Sequence, residues 1–241
     1  MKIVFFSDIH ANIPALEAFF EDVETLNPEA IYCLGDLVGY NIWPGTVVDE
    51  IQKRRIPTIM GNHEEALLAS VADEVPTSNR GLTRSLLSDQ QRDYLIHLPR
   101  HMSLSFGTEQ KPFKLLMVHG STKAINDYMV VDYPQDEVLG MMRAHQADVL
   151  LCGHTHLPFH RVLADGDRYR HVINIGSVGK PKDGDPRGCY AVVEMNSATS
   201  ASSPELQVTF RRIAYDVERA AQAVEQSGFD DALAQALRIG R

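Results

Sequence analysis

The first 60 residues alternate between apolar runs and amphipathic segments, and this alternation constrains the fold more than any other feature of the chain. Each apolar run has the length and residue types of a buried strand, at Ile3–Ser7, Ala30–Leu34 and Pro57–Met60. Apolar residues at helical spacing fill the intervals and predict one helix between Asn12 and Asn27 and another over Gly45–Arg55. Strand, helix and strand in so short a stretch predict right-handed crossovers between parallel strands, and therefore an α/β fold.

The rest of the chain continues this pattern after a helical interruption. Residues 65–100 predict a helical excursion beside the sheet, with a polar break at Asp73–Asn79. Further strands are predicted at His101–Phe106, Lys114–Val118, Asp148–Cys152, Tyr169–Ile175, Cys189–Met195 and Leu206–Ile213. The first two of these strands are expected to form a hairpin across a turn at Gly107–Pro112. Further helices are predicted at Gln135–His145, Asp216–Gln226 and Asp230–Ile239. We expect residues 1–241 to form a single domain that ends in the helices of residues 216–241.

The composition excludes several classes of function. A net charge of -9 argues against stable nucleic-acid binding and against anionic membrane surfaces, both of which require a basic face. No apolar run approaches the roughly 18 residues of a membrane-spanning helix, and Met1 leads directly into a strand instead of a signal peptide. Three scattered cysteines indicate a reducing compartment rather than a disulfide framework. We therefore expect a cytoplasmic protein.

Side chains of the kind that bind metals follow the predicted strand ends. Asp8 and His10 come two positions apart after the first strand, and on an extended backbone such residues point to the same side. The region beyond the carboxyl end of a strand is where α/β proteins bind ligands. The pattern recurs at five strand ends, with Asp8/His10, Asp36, Asn62/His63, His119 and His154/His156.

Each of these residues alone has a simpler explanation. Asp36 is compatible with a turn cap, and His119 with a hydrogen-bonded core residue. Independent packing requirements do not place a ligand type at five strand ends, so the whole set favours a metal site. Two carboxylates, one amide and four histidines, leaving out His63, are too many for one tetrahedral ion. They suit two ions that share a carboxylate, an arrangement that hydrolyses phosphate esters.

These motifs resemble a known family. The residues that carry the resemblance are Asp8-x-His10, Gly35-Asp36, Gly61-Asn62-His63-Glu64, His119-Gly120 and Gly153-His154-Thr155-His156. In this order they look like the five signature motifs of the calcineurin-like metallophosphoesterases. The longer segments around Asn12, Tyr40 and Asn174–Gly179 are similar to the branch of small prokaryotic phosphodiesterases. The resemblance implies a four-layer α-β-β-α sandwich of two mixed sheets flanked by helices.

The resemblance also implies a role for each motif residue. The implied ligands are Asp8, His10 and His156 for one divalent ion, Asn62, His119 and His154 for the second, and Asp36 for both. His63 is implied to face the substrate and to protonate the leaving alkoxide, with Glu64 orienting it. Manganese is the favoured metal. Iron, nickel, cobalt and zinc are alternatives, because ligand sets of this kind accept all of these metals.

Residues that contact the substrate are harder to identify. Our candidates are Asn12, Tyr40 and Arg187. For Tyr40 and Trp43, stacking on a nucleobase competes with packing, and packing is favoured for both. For Arg187, Lys180 and Lys182, a phosphate contact competes with a solvated surface charge, and the solvated charge is favoured for all three.

The sequence therefore predicts a binuclear metal-dependent hydrolase of phosphoric esters. A phosphodiester or a nucleotide-type small molecule is the favoured substrate. One alternative is a Ser/Thr phosphoprotein phosphatase, which needs an open groove and further arginines. The other is a non-catalytic interaction module on the same fold, like the retromer subunit that lost catalytic residues. The sequence is compatible with a monomer and with an oligomer.

Overall fold

Two β-sheets packed face to face form the centre of the protein. The structure, a computed structural model, describes residues 1–69, 75, 77–108 and 111–241. The first sheet consists of β1 (Lys2–Phe6), β2 (Ala30–Cys33), β8 (Gly188–Glu194) and β9 (Gln207–Ile213), in the order β2-β1-β8-β9. The second consists of β3 (His101–Thr108), β4 (Lys111–Val118), β5 (Val149–Cys152), β6 (Phe159–Asp165) and β7 (Arg168–Asn174), in the order β3-β4-β5-β7-β6.

Helices cover the outer faces of both sheets. They are α1 (Ile13–Leu26), α2 (Pro44–Lys53), α3 (Asn62–Ala66), α4 (Asn79–Ser85), α5 (Asp89–Ile96), α6 (Gln135–Ala144), α7 (Val217–Glu225) and α8 (Asp231–Ile239). In β1, Ile3 and Phe5 face the second sheet, while Val4 and Phe6 pack against helices α1 and α2. Helix α6 covers the outer face of the second sheet. The predicted four-layer arrangement is therefore confirmed.

Both sheets are mixed, as predicted. In the first, β1 and β2 are parallel, with Ile3 opposite Ala30, and the pairs β1–β8 and β8–β9 are antiparallel. In the second, β4, β5 and β7 are parallel, and β3 and β6 run antiparallel at its two edges. Because β1 is parallel to β2, and β4 is parallel to β5, the loops that follow each pair emerge at one end of their sheet.

The predicted third strand is the main correction to the fold. Residues 57–60 form only an isolated parallel bridge, between Cys33 and Thr58. Cys33 of β2 holds this segment, because its N–H donates to the carbonyl of Pro57 and its carbonyl accepts from the N–H of Ile59, both at 3.0 Å. The next N–H, that of Met60, donates to the carbonyl of Pro99 at 2.7 Å, and the pairing with β2 ends there. Its direction along β2 is nevertheless the predicted one, so it still delivers Asn62 and His63 to the same end of the sandwich.

The sequence pattern did not predict strand β6. It lies at a sheet edge and is only partly buried, so its apolar residues do not alternate cleanly. The signal for it was the Asp165-Gly166 turn, where Gly166 has φ +65° and joins β6 to β7 as a hairpin.

The other predicted elements occur close to their expected places. Helices α3, α4 and α5 make up the helical excursion, and α7 and α8 are the two C-terminal helices. The hairpin of β3 and β4 is confirmed, with strands that extend to Thr108 and Lys111 and so shorten the predicted turn. Residues 70–72 of the predicted helical excursion, residues 73, 74 and 76 of its polar break, and residues 109–110 of the predicted turn lie outside the described residues.

The C-terminal helices pack on the helical layer of the first sheet. Their apolar faces meet around Val224 and Leu237, and Trp43 packs against the same cluster. Packing of the Trp43 ring, which the sequence analysis favoured over stacking on a nucleobase, is thus what the structure shows. Among the helices that the structure describes, none combines the length and the apolarity needed to cross a membrane.

Candidate metal centre

Seven predicted ligands gather where the two sheets meet. The first sheet contributes Asp8, His10 and Asp36, and the second contributes His119, His154 and His156; Asn62 begins helix α3. Potential ligand atoms lie within 4.8 Å of one another in three overlapping groups: Asp8/His10/His156, His10/Asp36/His63 and Asp36/His119/His154. The carboxylate of Asp36 belongs to two of these groups and therefore lies between the two halves of the site.

The backbone of the ligand loops differs from the extended geometry that the sequence suggested. β1 ends at Phe6, and Asp8 and His10 have φ values of 55° and 51°, in the left-handed region. Asp36, His154 and His156 have similar values, between 53° and 62°. Non-glycine residues rarely adopt this conformation, and clusters of it occur at functional sites. Asp8 and His10 do converge, with Oδ1 and Nε2 3.6 Å apart, but through a tight turn rather than along a strand.

Backbone carbonyls orient three of the four histidines. The Nδ1 atom of His10 lies 3.0 Å from the carbonyl oxygen of Val38, and that of His119 lies 2.7 Å from the carbonyl of Leu34. The Nδ1 atom of His156 makes the same kind of contact with the carbonyl of Lys180. A carbonyl only accepts, so each Nδ1 carries the hydrogen in the neutral ring and each Nε2 presents a lone pair. Histidines that bind metals are typically held in this way.

The nitrogen and oxygen acceptor atoms of the ligand side chains point towards one another. The Nε2 atoms of His10 and His156 are 3.2 Å apart, and Nε2 of His156 is 3.1 Å from Oδ1 of Asp8. Nε2 of His119 lies 3.3 Å from Oδ2 of Asp36. Two buried atoms, Oδ1 of Asp8 and Nε2 of His154, have no hydrogen-bond partner among the described residues. Acceptor atoms packed this closely repel one another unless protons or metal cations lie among them, so the residues fit divalent metal ions.

The pKa values of the cluster reflect the same crowding. Burial lowers the pKa of His10 to about 3. Burial also acts to lower the pKa of His119, but the carboxylates of Asp36 and Asp8 outweigh it and raise the value to about 10. Burial acts to raise the pKa of Asp8, yet His156 and its other histidine neighbours hold it well below its usual range. The site thus concentrates negative charge on buried carboxylates, which a bound cation would neutralise.

His63 lies at the edge of this cluster, where a substrate-facing residue is expected. Its backbone N–H donates to Oδ1 of Asp36 at 2.9 Å. Its ring packs against those of His10 and Tyr40, with centroids 4.8 Å and 4.6 Å away, and these two rings also contact each other. Gly39 is required here because an added Cβ would lie 2.2 Å from Nδ1 of His63. Burial lowers the pKa of His63, although the carboxylates of Asp36 and Asp8 act against this.

Glu64 does not orient His63, in contrast to the expectation from the sequence. Its fully buried carboxylate accepts hydrogen bonds from the backbone N–H groups of Asp36 and Gly61, both at 2.8 Å, and of Leu37 and Val38 at 2.8 Å and 3.3 Å. Burial and the charge of Asp36 raise its pKa to about 7, while the backbone donors act against this. Glu64 therefore fixes the loop that carries Asp36.

Two of the three candidate substrate contacts have other partners. The amide of Asn12 is fully buried: its oxygen accepts from the N–H of Ala15 at 3.2 Å and its Nδ2 donates to the carbonyl of Gly179 at 2.8 Å. The guanidinium of Arg187 binds Asp185 in the same exposed turn. Asn12 and Arg187 thus have partners within the protein, whereas the ring of Tyr40 packs against the ligand His10.

The structure brings two further residues close to the site, of which the sequence analysis considered only Lys180. Lys180 is only 6% exposed, contrary to the solvated charge expected for it, and its Nζ lies 5.1 Å from the centre of the Tyr40 ring. Tyr128 is 60% exposed and its ring centroid is 4.6 Å from that of His154. Neither residue belongs to a motif, because loop packing brings both to the site.

Comparison with known proteins gives one family and several relatives of similar length. A family model described as the calcineurin-like phosphoesterase superfamily domain matches residues 1–198. The uncharacterized protein MJ0912 of Methanocaldococcus jannaschii is 26% identical, over 99% of this chain and 98% of its own. The crystal structure of a metallophosphoesterase from Sphaerobacter thermophilus matches with a TM-score of 0.78 and 27% identity, over 100% of both chains. The hypothetical protein PH1004 of Pyrococcus horikoshii matches in fold, with a TM-score of 0.80 at 22% identity, over 100% of this chain and 98% of that one.

Proposed function

Since this chain belongs to the calcineurin-like phosphoesterase superfamily, we propose that it hydrolyses phosphodiesters or nucleotide-type phosphate esters with the help of two divalent metal ions. The observation that carries the proposal is the set of inward-facing lone pairs, together with the unpartnered Oδ1 of Asp8 and Nε2 of His154. Manganese is our first candidate, followed by iron, nickel, cobalt and zinc.

The ligand loops divide the metal-binding task between the two sheets. Asp8, His10 and His156 would hold one ion, Asn62, His119 and His154 would hold the other, and Asp36 would touch both. When bound, such ions lower the pKa of a coordinated water and neutralise charge on the phosphoryl oxygens. Glu64 keeps the Asp36 loop fixed, and the carbonyls of Val38, Leu34 and Lys180 keep the histidine rings turned inward.

His63 is the proposed general acid. A ring nitrogen of His63 lies within 4.8 Å of a carboxylate oxygen of Asp36, and the ring packs against Tyr40, which supports this role. In that position it would donate a proton to the oxygen of the departing alcohol. Cys152 is not an activated nucleophile, because burial raises its pKa to about 12. Ser121 donates to Asp127, a carboxylate that belongs to none of the three ligand groups. Direct attack by water is therefore the proposed route, without a phospho-enzyme.

Small phosphodiesters are the proposed substrates, and the cytoplasm is the proposed location. The net charge of -9 disfavours stable association with nucleic acid or anionic membranes. The three cysteines are unpaired and buried, which suits a reducing compartment.

Hydrolysis of bis-p-nitrophenyl phosphate by protein loaded with Mn²⁺ tests the proposal. We expect turnover that EDTA abolishes and that falls about 100- to 10,000-fold in His63→Ala, the range for loss of a general acid. His97→Ala, which removes the exposed histidine at the C-cap of α5, is the matched control and is expected to retain full activity. Full activity in His63→Ala would contradict the proposed acid. Turnover of a phosphopeptide but of no diester would favour the phosphatase alternative, and turnover of neither would favour a binding module.

A further inference from the structure

A cavity opens from the metal cluster on the side of His63. It has a volume of about 190 Å³, and one wall is formed by Tyr40, Asn62 and His63. The opposite wall comes from helix α4, which contributes Arg80 and Thr83. Helix α4 is tied to this side of the site because the N–H of Tyr40 donates to Oδ1 of Asn79 at 3.4 Å. The cavity therefore joins the helical excursion to the reacting centre.

Thr83 is the unusual residue of this cavity. It is 2% exposed, and its hydroxyl has no hydrogen-bond partner among the residues that the structure describes. A buried hydroxyl without a partner is costly, so such groups generally bind a ligand or water. Arg80 lies three positions earlier on α4, on the same face of the helix, and brings a positive charge to the same cavity.

The side chains that line the cavity indicate the chemistry of the ligand that it would bind. Aromatic and apolar surface from Tyr40, Leu67 and Val38 suits a flat ring, while Thr83 and Arg80 suit polar or acceptor atoms on its edge. The volume is below that of pockets for drug-sized ligands, which leaves room for about one nucleobase and excludes a folded polypeptide.

We propose that this cavity binds the leaving alcohol of a nucleotide-type phosphodiester, with the ring against Tyr40 and its polar edge at Thr83 and Arg80. This inference rests on the proposed function, because it is the proton donation by His63 that puts the departing oxygen on this side. It assigns the helical excursion a role in choosing the substrate.

The test compares ligands of the cavity with a ligand of the metal centre. Free nucleosides and inorganic phosphate are titrated as inhibitors of bis-p-nitrophenyl phosphate hydrolysis, and nucleoside binding is also measured by ligand-observed NMR. We expect Thr83→Val to raise the inhibition constant of a nucleoside about 2- to 10-fold, the effect of one lost hydrogen bond. Ala66→Phe, which fills the cavity, is expected to raise it more than tenfold. The inhibition constant of phosphate is expected to stay within twofold in both variants.

Thr25→Val, at an exposed threonine of α1, is the matched control and is expected to change neither constant. Thr83→Val removes an unpartnered hydroxyl, so its thermal stability is expected to match or exceed that of the wild type even if Ala66→Phe folds poorly. The inference is wrong if no nucleoside binds the wild type, or if the constants for nucleoside and phosphate rise together in Thr83→Val. Failure of the proposed function is a separate result, namely no diester turnover by wild-type protein, and the NMR measurement still reports on the cavity.

Discussion

At the scale of single residues, backbone groups hold the polar side chains of the metal centre. Glu64 accepts four N–H groups, and three ligand histidines donate to carbonyls. At Gly61 an added Cβ would lie 2.1 Å from Oδ1 of Asp36, so the loops are packed as closely as glycine permits. Small changes in this region are therefore expected to move ligands.

Replacing Glu64 by Gln tests how the Asp36 loop is held. The amide nitrogen of Gln would face backbone N–H donors that now bind a carboxylate oxygen, so we expect a loss of about 2–4 kcal/mol in the free energy of unfolding. We also expect phosphoesterase activity to fall at least about tenfold, because Asp36 shifts. Denaturant unfolding and steady-state kinetics measure the two effects.

Glu65→Gln is the matched control for that substitution. Glu65 lies next in the chain and pairs with Arg100 at the surface, an interaction worth about 0–1 kcal/mol. The hydrogen-bonding role assigned to Glu64 would be refuted by a Glu64→Gln protein as stable and as active as Glu65→Gln.

His171 predicts a loss of stability at acidic pH. Burial lowers its pKa to about 4, and the neighbouring His160, whose Nε2 lies 3.0 Å from Nδ1 of His171, acts in the same direction, while Asp148 opposes it. An unfolded histidine titrates near pH 6.5, so below that pH the unfolded chain takes up a proton that the folded protein refuses. The contribution of neutral His171 to the free energy of unfolding is thus complete above pH 6.5 and is lost as the pH falls towards 4.

The measurement is the free energy of unfolding at pH 7 and at pH 4.5, in wild type and in His171→Asn. Between pH 7 and pH 4.5, we expect the variant to lose about 1–3 kcal/mol less of its free energy of unfolding than the wild type, because one titrating group is removed. His97→Gln serves as the exposed control and is expected to behave like wild type. Equal acid-induced losses in all three proteins would show that His171 is not a source of the acid sensitivity.

At the scale of elements, short strands and the turns after them create the site. β1 has five residues and β2 has four, and the turn after each of them has a left-handed residue at the ligand position. The N-terminus of α1 supports the first of these turns through Asn12, which contacts both Ala15 and Gly179. Gly179 in turn donates to the carbonyl of Asp8 at 3.0 Å.

Asn12→Ala is therefore expected to affect both stability and activity. Loss of the helix cap costs about 1–2 kcal/mol, and loss of the contact to Gly179 loosens the turn that carries Asp8. We expect reduced affinity for Mn²⁺, by isothermal titration calorimetry, together with a lower unfolding midpoint.

Ser88→Ala removes the cap of α5, where Oγ of Ser88 accepts from the N–H of Gln91 at 3.2 Å. This exposed cap makes a matched control, expected to lose stability without losing affinity for the metal. Equal metal affinity in Asn12→Ala and Ser88→Ala would argue against a link between α1 and the ligand turn.

The element pattern was largely predictable because it depends on local periodicity. Apolar spacing identified β1, α1, β2 and α2, and the order of parallel strands placed their ends together. Apolar spacing did not predict β6, an edge strand with little apolar alternation. It overestimated the segment at residues 57–60, which pairs with β2 by one bridge at Cys33 before the N–H of Met60 donates to Pro99.

At the scale of the whole molecule, the metal centre lies across the junction of the two sheets. Asp8, His10 and Asp36 come from the first sheet, and His119, His154 and His156 come from the second. Bound metal is thus expected to link the ligand loops of one sheet to those of the other. The interpretation as a single domain stays a prediction.

Metal loading is expected to stabilise the entire fold. Free Mn²⁺ at 100 times its dissociation constant adds about 2.7 kcal/mol, which corresponds to a rise of about 5–10 °C in the unfolding midpoint. His10→Ala and His119→Ala, one from each sheet, are each expected to lose most of this rise, whereas His97→Ala is expected to keep it. A midpoint that is identical in Mn²⁺ and in EDTA would show that the cluster binds no metal in solution.

The sequence by itself determined the order of strands and helices and the identity of the side chains that reach the centre. Both follow from local rules, namely apolar period and the position of polar residues after each strand. The tertiary structure alone decided the left-handed turns, the burial of Lys180, the backbone partners of Glu64 and the unpartnered hydroxyl of Thr83. These features depend on contacts between distant segments, such as Glu64 with Leu37 or His10 with His156, 146 positions apart, which no local pattern encodes.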